Sequence, residues 1–321
     1  MSSPSSTVVI GGGIAGIACA RALADRGRPV QVLDRGRRLG GRMGGRTLHG
    51  RPVDLGASYL TVSDGSPFAP VVAGWVDRGL ARPWTHTFAV AGPQGIERTT
   101  SGPLRYGTPG GLRGLVTDLA TGLDVQLERT VTRVGSDGGP TVDGDPAAAV
   151  VLALPDPQAA RLLEPGTAIA GRLQPTAWQP TLAVVLDFAR RSWDADLHGV
   201  FVHDSPALEW IADDGDRRGD GAPVLVAHST PALAAEHLDG PERAVPAVLA
   251  AVRAVLGLDE EPEWTHVHRW SFAKPTDPRE EPFAVADGIG LCGDGWAAPS
   301  KVESAWRSGH ALGTALADPT D

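Results

Sequence analysis

The stretch TVVIGGGIAGIACARALADRG (Thr7–Gly27) decides the fold. Thr7–Ile10 is a β-branched run of the kind that suits a buried strand. Gly11, Gly13 and Gly16 then form G-x-G-x-x-G, and the apolar segment from Ile14 to Arg26, closed by Gly27, reads as a helix. Pro29–Asp34 reads as a second strand, so the chain opens with a βαβ unit. In that setting one glycine permits a tight turn, the next lets a pyrophosphate approach the backbone, and the third lets helix pack on strand. Free N–H groups at the helix start face the anion. With 41 glycines in the chain the pattern alone is weak, and an ordinary glycine turn is the alternative; between a strand and a helix it predicts a dinucleotide site.

Working outward, VLDRGRRLGGRM (Val32–Met43) places Asp34 at a strand end, about 20 residues past the glycine turn, where a carboxylate can accept hydrogen bonds from an adenosine ribose. The bland alternative is a solvated strand-end acid. An NAD site needs little more than these two features, whereas FAD needs contacts further along the sheet. Gly40-Gly41-Arg42 offers one, because glycines let a loop run close to a pyrophosphate and a guanidinium can pair with it. Asp54-Leu55-Gly56-Ala57 is a second loop of close backbone approach. Near the other end, CGDGW (Cys292–Trp296) finishes a short apolar strand with Asp294, which can hold ribitol hydroxyls. A helix beginning near Val302 can turn its N-terminus toward a flavin's pyrimidine edge. FAD is the ligand these features predict.

Composition sets the bounds. The chain has 321 residues, 42% of them hydrophobic, a length and texture that predict two lobes of α/β type. A formal charge of -9 argues against a nucleic-acid surface, which needs a basic stripe. Lys274 and Lys301 are the lysines, so arginine carries nearly all positive charge. Cys19 and Cys292 each lie in an apolar element, which predicts two buried reduced thiols and no covalent flavin link. MSSPSSTVVI has no basic leader region, and no uninterrupted apolar run reaches the roughly 18 residues a membrane helix needs. A cytoplasmic protein with no membrane, nucleic-acid or metal partner is expected.

Along the chain, Phe68–Arg78 reads as a helix and Pro83–Arg98 as strands turning at Gly92-Pro93. Asp124–Glu128 and Thr130–Val134 read as a strand pair, and Ala148–Leu154 as a strand buried on both faces. The middle changes texture: Thr181–Phe188, Leu208–Ala212 and Val224–Ser229 resemble antiparallel strands, interrupted by a charged loop, DDGDRRGDG. Ala244–Leu256 makes an amphipathic helix, Glu263–Trp270 a strand, and Val302–Leu316 a closing helix. The textures alternate, so the lobes are discontinuous: residues 1–60, 103–160 and 278–321 for the cofactor, 61–102 and 161–277 for the substrate.

The glycine motif, the GGRM loop, DLGASY, LVAHST, HRWSF and GDGW together resemble renalase and its bacterial relatives, FAD-dependent oxidoreductases within the flavin amine oxidase superfamily. The resemblance runs from Val8 to Leu316. It implies a Rossmann-type FAD lobe plus a mixed-sheet α+β substrate lobe, of p-hydroxybenzoate hydroxylase type. The implied chemistry is oxidation of dihydro-NAD(P) isomers, reduced at ring C2 or C6, with molecular oxygen as acceptor and hydrogen peroxide as product. A dihydropyridine becomes a pyridinium by losing a hydride alone, so flavin N5 can accept it without a protein base, and the enzyme has mainly to stack and orient the ring. Amine oxidation in the superfamily typically uses an aromatic cage of tyrosines and a lysine bonded through water to N5. This chain has two tyrosines, Tyr59 and Tyr106, and Lys274 is the sole candidate lysine ahead of GDGW, which weakens an amine substrate.

The expected cofactor contacts are Gly11, Gly13, Ile14, Ala15, Gly16, Asp34, Arg35, Gly41, Arg42, Met43, Gly56, Ala57, Ser58, Val131, Gly293, Asp294 and Val302. Tyr59, His228, Trp270 and Trp296 are the pocket candidates, with sheet or core packing as the alternative for His228 and Trp270. Arg105, Arg113 and Arg269 are available to a substrate phosphate, although surface solvation is the default in so arginine-rich a chain. An amine or small-metabolite oxidase, a flavin-binding protein without turnover, and an NAD-dependent dehydrogenase are the competing functions.

Overall fold

A computed structural model describes residues 6–318; Met1–Ser5, part of the stretch in which no leader is read, and residues 319–321 lie outside it. The chain divides into two compact units. The first comprises Met1–Met43, Arg113–Trp178 and Lys274–Asp321, the second Gly44–Leu112 and Gln179–Ala273.

The first unit is built on a six-stranded sheet in the spatial order Ala284–Ala286, Ile289–Leu291, Ala149–Leu152, Thr7–Ile10, Val30–Leu33, Asp124–Gln126. All pairings are parallel except that of the edge strand Ala284–Ala286. Ala149–Leu152 is buried at every residue, as a parallel strand covered on both faces must be, and this is why it reads as a continuous apolar run. Thr7 pairs with Val30 on one side and Ala149 on the other, which centres the first strand and carries the glycine turn to the middle of the sheet's edge.

The first helix, Ile14–Ala24, is buried along most of its length by the closing helix, Val302–Ala317. Their approach depends on two glycines: a Cβ on Gly309 would stand 1.9 Å from the Ala15 carbonyl oxygen, and one on Gly313 2.4 Å from that of Cys19. Cys19 and Cys292 are buried free thiols; burial pushes Cys19 up to about 12 and Cys292 well above the usual thiol range.

In the second unit an eight-stranded sheet runs Trp264–Pro275, Trp178–Asp187, Val224–Ser229, Leu208–Asp213, Gly199–Val202, Arg82–Gly92, Gly95–Gly107, Leu60–Thr61. It is mixed, because Gly199–Val202 pairs parallel with Arg82–Gly92 while the neighbouring pairs are antiparallel. The helix Val245–Leu256 buries Val248, Val252 and Val255 with Leu186, Leu225 and Ile211 in one apolar core. Pro246 sits in its first turn, where no N–H is needed, and Gly257 ends it at φ 65°.

Several elements differ from the sequence expectation. Gly44–Leu60 clusters with the second unit, because Gly45–Leu48 and Arg51–Asp54 form their own two-stranded sheet there. Thr130–Arg133 is not a strand; Asp143 instead accepts the backbone N–H groups of Thr132 and Arg133, holding the segment as a loop. DDGDRRGDG is not a solvated loop either. Asp214–Arg218 is a short helix capped by Asp213 and ended by Gly219 at φ 84°, and most of it is buried.

Candidate functional site

The glycine turn is the start of the site in the first unit. Gly11 takes φ 113°, where an L side chain is strained, and a Cβ on Gly16 would lie 1.9 Å from the Gly11 carbonyl oxygen, so both positions require glycine. Gly13 caps the first helix in extended geometry and no side chain caps its N–H groups. A Cβ on Gly13 would meet nothing within 4 Å, so open space lies beside the uncapped helix end. That combination of free N–H donors, positive helix dipole and room at the backbone is what a pyrophosphate requires.

Asp34 closes one side. Its Oδ2 accepts the Gly12 N–H and its Oδ1 the Gly36 N–H, each at 2.6 Å, which fixes the carboxylate at the strand end and leaves further lone pairs for hydroxyl groups. The GGR loop lies directly on the turn: Gly40 donates to the Gly12 carbonyl at 2.9 Å, and a Cβ on Gly41 would stand 3.3 Å from the Gly13 Cα. Arg42 is thereby carried to Asp294, with two parallel bonds of 2.7 and 2.5 Å, and its guanidinium centre lies 5.1 Å from the Trp178 ring. Ser300 donates to the same carboxylate at 2.9 Å. Gly293, at φ 145°, again has nothing within 4 Å of a would-be Cβ.

Residues from both ends of the chain therefore meet: Gly11, Gly13, Gly16, Asp34, Gly41, Arg42, Gly293 and Asp294 belong to one cradle, with Ile14 and Ala15 buried beneath it. The donor set fits a dinucleotide whose two halves span the turn and the Arg42–Asp294 pair. Of the other expected contacts, Arg35 is exposed, Met43 and Val131 are buried, and Val302 begins the closing helix. Trp178 is a neighbour of Arg42 that sequence alone gave no reason to choose.

Gly56, Ala57, Ser58 and Tyr59 fall in the second unit. The Ser58 hydroxyl accepts the Trp210 indole at 3.0 Å, and its carbonyl accepts Arg217 at 3.0 Å. Tyr59 lies in an aromatic cluster, its centroid 5.2 Å from Phe88, 5.9 Å from Trp210 and 6.3 Å from Trp84. Arg105 is buried here, its guanidinium 3.9 Å from the Phe88 centroid and 5.8 Å from that of Tyr59. Burial raises the Tyr59 phenol above its usual range, while Arg105 pulls it back toward ionisation. Trp84 and Phe88 lie on one strand, their rings 5.4 Å apart edge-on, although register irregularities around Thr85 interrupt the simple alternation between them.

Of the remaining pocket candidates, Trp296 and Trp270 have packing or loop-holding partners, while His228 pairs across the strands with Trp210 of the aromatic cluster. Trp296 is 2% exposed in the core of the first unit, with Arg279 stacked 4.2 Å over its ring; packing accounts for it. Trp270 donates to the Leu55 carbonyl at 2.7 Å and stands edge-on to His268, a role in holding the DLGA loop. His228 is the penultimate residue of Val224–Ser229, in register with Ala183 and Trp210. Arg113 donates to the Leu39 carbonyl at 2.5 Å, and exposed Arg269 to that of Leu238.

Asp54 of DLGASY does not serve a close-approach loop. It accepts Arg217 at 2.6 Å, Arg218 at 3.0 Å and the Leu112 N–H at 3.1 Å. Asp214 pairs with Arg217, with Arg218 at 3.0 Å, and with Arg51. Apart from Arg51, which is partly exposed, these charges are sealed from water and are balanced by one another within the second unit.

Among the described residues no helix is long and apolar enough to cross a membrane. Residues 9–74 match the NAD(P)-binding Rossmann-like domain, and residues 85–312 match the flavin containing amine oxidoreductase family. Polyamine oxidase 5 of Oryza sativa subsp. japonica is 46% identical over 71 residues, and polyamine oxidase 2 of Arabidopsis thaliana 48% identical over 68 residues. These matches cover 22% and 21% of this chain and only 14% of each relative's own length. Cyclohexylamine oxidase from Brevibacterium oxydans IH-35A has a TM-score of 0.75 at 15% identity, covering 98% of this chain and 99% of that one. Wild-type putrescine oxidase bound to putrescine has a TM-score of 0.71 at 15% identity, covering 98% of both chains. At such identities the structures speak for a shared fold. The amine oxidoreductase match, by contrast, spans well over half of the sequence, and on it the chain belongs to the flavin containing amine oxidoreductase family.

Proposed function

We propose that this chain is an FAD-dependent oxidase of dihydronicotinamide dinucleotides reduced at ring C2 or C6, with the flavin held noncovalently. Bound FAD supplies the hydride acceptor at N5 and returns the electron pair to oxygen as hydrogen peroxide. The chain's own part is to hold and orient. The uncapped helix start with Gly13, together with Arg42, suits the pyrophosphate, and Asp34 and Asp294 suit the two polyol segments. Cys19 and Cys292 are buried and shifted away from the thiolate, which favours noncovalent binding.

The observation that carries the substrate class is Lys274. It is the lone lysine ahead of GDGW, and its side chain is exposed at the end of the strand Trp264–Pro275, whereas amine oxidation in this superfamily typically uses a lysine bonded through water to N5. Hydride loss from a dihydropyridine asks for no base, only for flat surfaces to stack on, which the Tyr59 cluster offers.

An amine substrate is the second reading, favoured by the putrescine and cyclohexylamine oxidases that share the fold. It needs a carboxylate for the ammonium. Asp216 is near the aromatic cluster, but its Oδ2 is already engaged by the Trp84 indole and by His198 Nδ1, both at 2.6 Å. Anaerobic mixing of the yellow protein with 2- and 6-dihydro-NAD(P), and separately with an amine panel, decides the matter. Bleaching within seconds by the dihydronicotinamides and not by amines is expected; bleaching by amines alone overturns the proposal.

A further inference from the structure

Three arginines of the second unit are buried: Arg105 at 6% exposure, Arg217 at 1% and Arg218 at 4%. Arg217 and Arg218 each meet Asp54 and Asp214. Arg105 differs. Among the described residues it has no carboxylate partner; its Nη1, like the Arg217 Nε, has no hydrogen-bond acceptor although it is shut away from water, but Arg217 has two carboxylates to balance its charge. Its neighbours are the faces of Phe88 and Tyr59, the neutral Tyr59 hydroxyl, with which it hydrogen-bonds, and Gly102, where a Cβ would come 3.0 Å from Nη2.

The magnitudes are lopsided. A cation over an aromatic ring gains only a modest stabilisation. Removing an unpaired guanidinium from water costs several kcal/mol even after relaxation. The rings alone do not offset that cost, and the same unit shows how its other buried arginines are satisfied, by carboxylates. An arginine held without one, in a cluster of rings that includes half-buried Tyr59 and Trp84, is an anion site whose anion arrives with the ligand.

We propose that Arg105 is the anion receptor of the substrate surface in the second unit, so that the substrate carries a phosphate or carboxylate group beside the ring it stacks on Tyr59. This rests on reading the Tyr59 cluster as the substrate surface, and it narrows the substrate to an anion. A simple diamine is excluded, because the guanidinium repels it. A dinucleotide supplies phosphate; a carboxylated heterocycle offers the same chemistry from another source, and the test separates the two.

The flavin-loaded protein is titrated with nicotinamide mononucleotide for phosphate, benzoate for carboxylate, and neutral nicotinamide, following tryptophan fluorescence and the flavin spectrum. At least one anion should bind saturably to the wild type. Arg105→Met should weaken that anion about tenfold or more, Arg105→Lys should retain much of it, and nicotinamide should be indifferent to both. The identity of the stronger anion reports the source. Equal anion affinity in R105M, or no saturable anion binding to the wild type, overturns the proposal.

Tyrosinate absorbance checks that the cluster is intact, since losing Arg105 should move Tyr59 ionisation to higher pH. If R105M does not fold, Arg105→Gln removes the charge while keeping an amide to fill the place. The proposal then requires a several-fold loss of anion affinity, and its absence sinks it. The two proposals fail separately. Dihydro-NAD(P) that still bleaches a flavin protein whose anion affinity ignores Arg105 removes the receptor alone. Arg105-dependent anion binding in a protein that no dihydronicotinamide reduces removes the substrate identity alone.

Discussion

Two sets of arginine–aspartate pairs stand in the two units, and they are built for different ends. In the first unit Arg42 and Asp294 are 28% and 12% exposed, next to an uncapped helix and to glycines with open space beside them. In the second, Arg217, Asp54 and Asp214 are exposed by 2% or less and bond one another and the backbone. A half-open pair stands where an incoming molecule can reach it. A sealed network spends its donors internally, all but the Arg217 Nε, and its value lies in fixing how the Asp54 loop, the Leu112 segment and the Asp214–Arg218 helix meet. The same residue types thus serve binding in one place and architecture in the other, and accessibility rather than chemistry tells them apart.

The sharpest way to break that contrast is to delete one charge from the sealed set. Arg217→Met leaves Asp54 and Asp214 short of a partner without access to water. Removing one member of a buried ion network costs about 3–5 kcal/mol, a large share of the 5–15 kcal/mol or so that holds a domain folded. The burial that lowers the Arg217 guanidinium pKa, opposed by Asp54, is the same imbalance seen from the proton's side. The urea midpoint should fall steeply, with loss of flavin following only as the fold is lost. A midpoint equal to that of the wild type would show the network to be dispensable.

The matching change in the first unit should split the two readouts the other way. Arg42→Met leaves Asp294 with the Ser300 bond and a little solvent, so its stability cost should be smaller than that of Arg217→Met. Flavin retention on dialysis should drop about tenfold or more, the worth of one charge-assisted contact. If R42M keeps its flavin and instead unfolds early, the two sets of pairs are alike after all and the contrast is void.

How far the sequence foretold this differs between the units for a physical reason. The glycine turn, Asp34 and GDGW are short-range patterns in which spacing alone dictates geometry, so they were legible, and the pairing of the Gly40–Met43 loop with CGDGW could be anticipated from what one ligand would require of both. Asp54 with Arg217 and Arg218 could not, because the partners lie more than 150 residues apart and DDGDRRGDG has the composition of a solvated turn. The signal that could have flagged it is local: Asp213 three residues before Asp216 and Gly219 just after Arg218 are helix start and stop residues, and a helix implies a face to bury. Trp296 illustrates the reverse, a residue adjacent to a binding motif in sequence that the fold turns into the core beneath Arg279. Arg105 stood among three arginines open to a phosphate, and only burial distinguishes it from Arg113 and Arg269.

The smallest effect concerns acid. His268, edge-on to Trp270 in the second unit, has its pKa lowered from 6.5 to about 4, by burial first and then by Arg46, His266 and Arg269. His310, stacked flat on Trp306 in the first, is lowered by burial and Arg26, with Asp25 opposing. A folded imidazole held neutral binds fewer protons than its unfolded counterpart between the two pKa values. Stability must therefore rise with pH across that window and be lost as pH falls from about 6.5 toward 4. His268→Phe keeps the ring and deletes the titration, so its urea midpoint should vary less with pH over that interval than the wild type's. His310→Phe, whose histidine has an acid nearby to favour its charged form, should flatten the profile less. Because both side chains are partly solvated, each change should be a modest slope rather than a collapse. A profile for H268F that parallels the wild type throughout would mean that His268 protonates as readily in the folded chain as outside it.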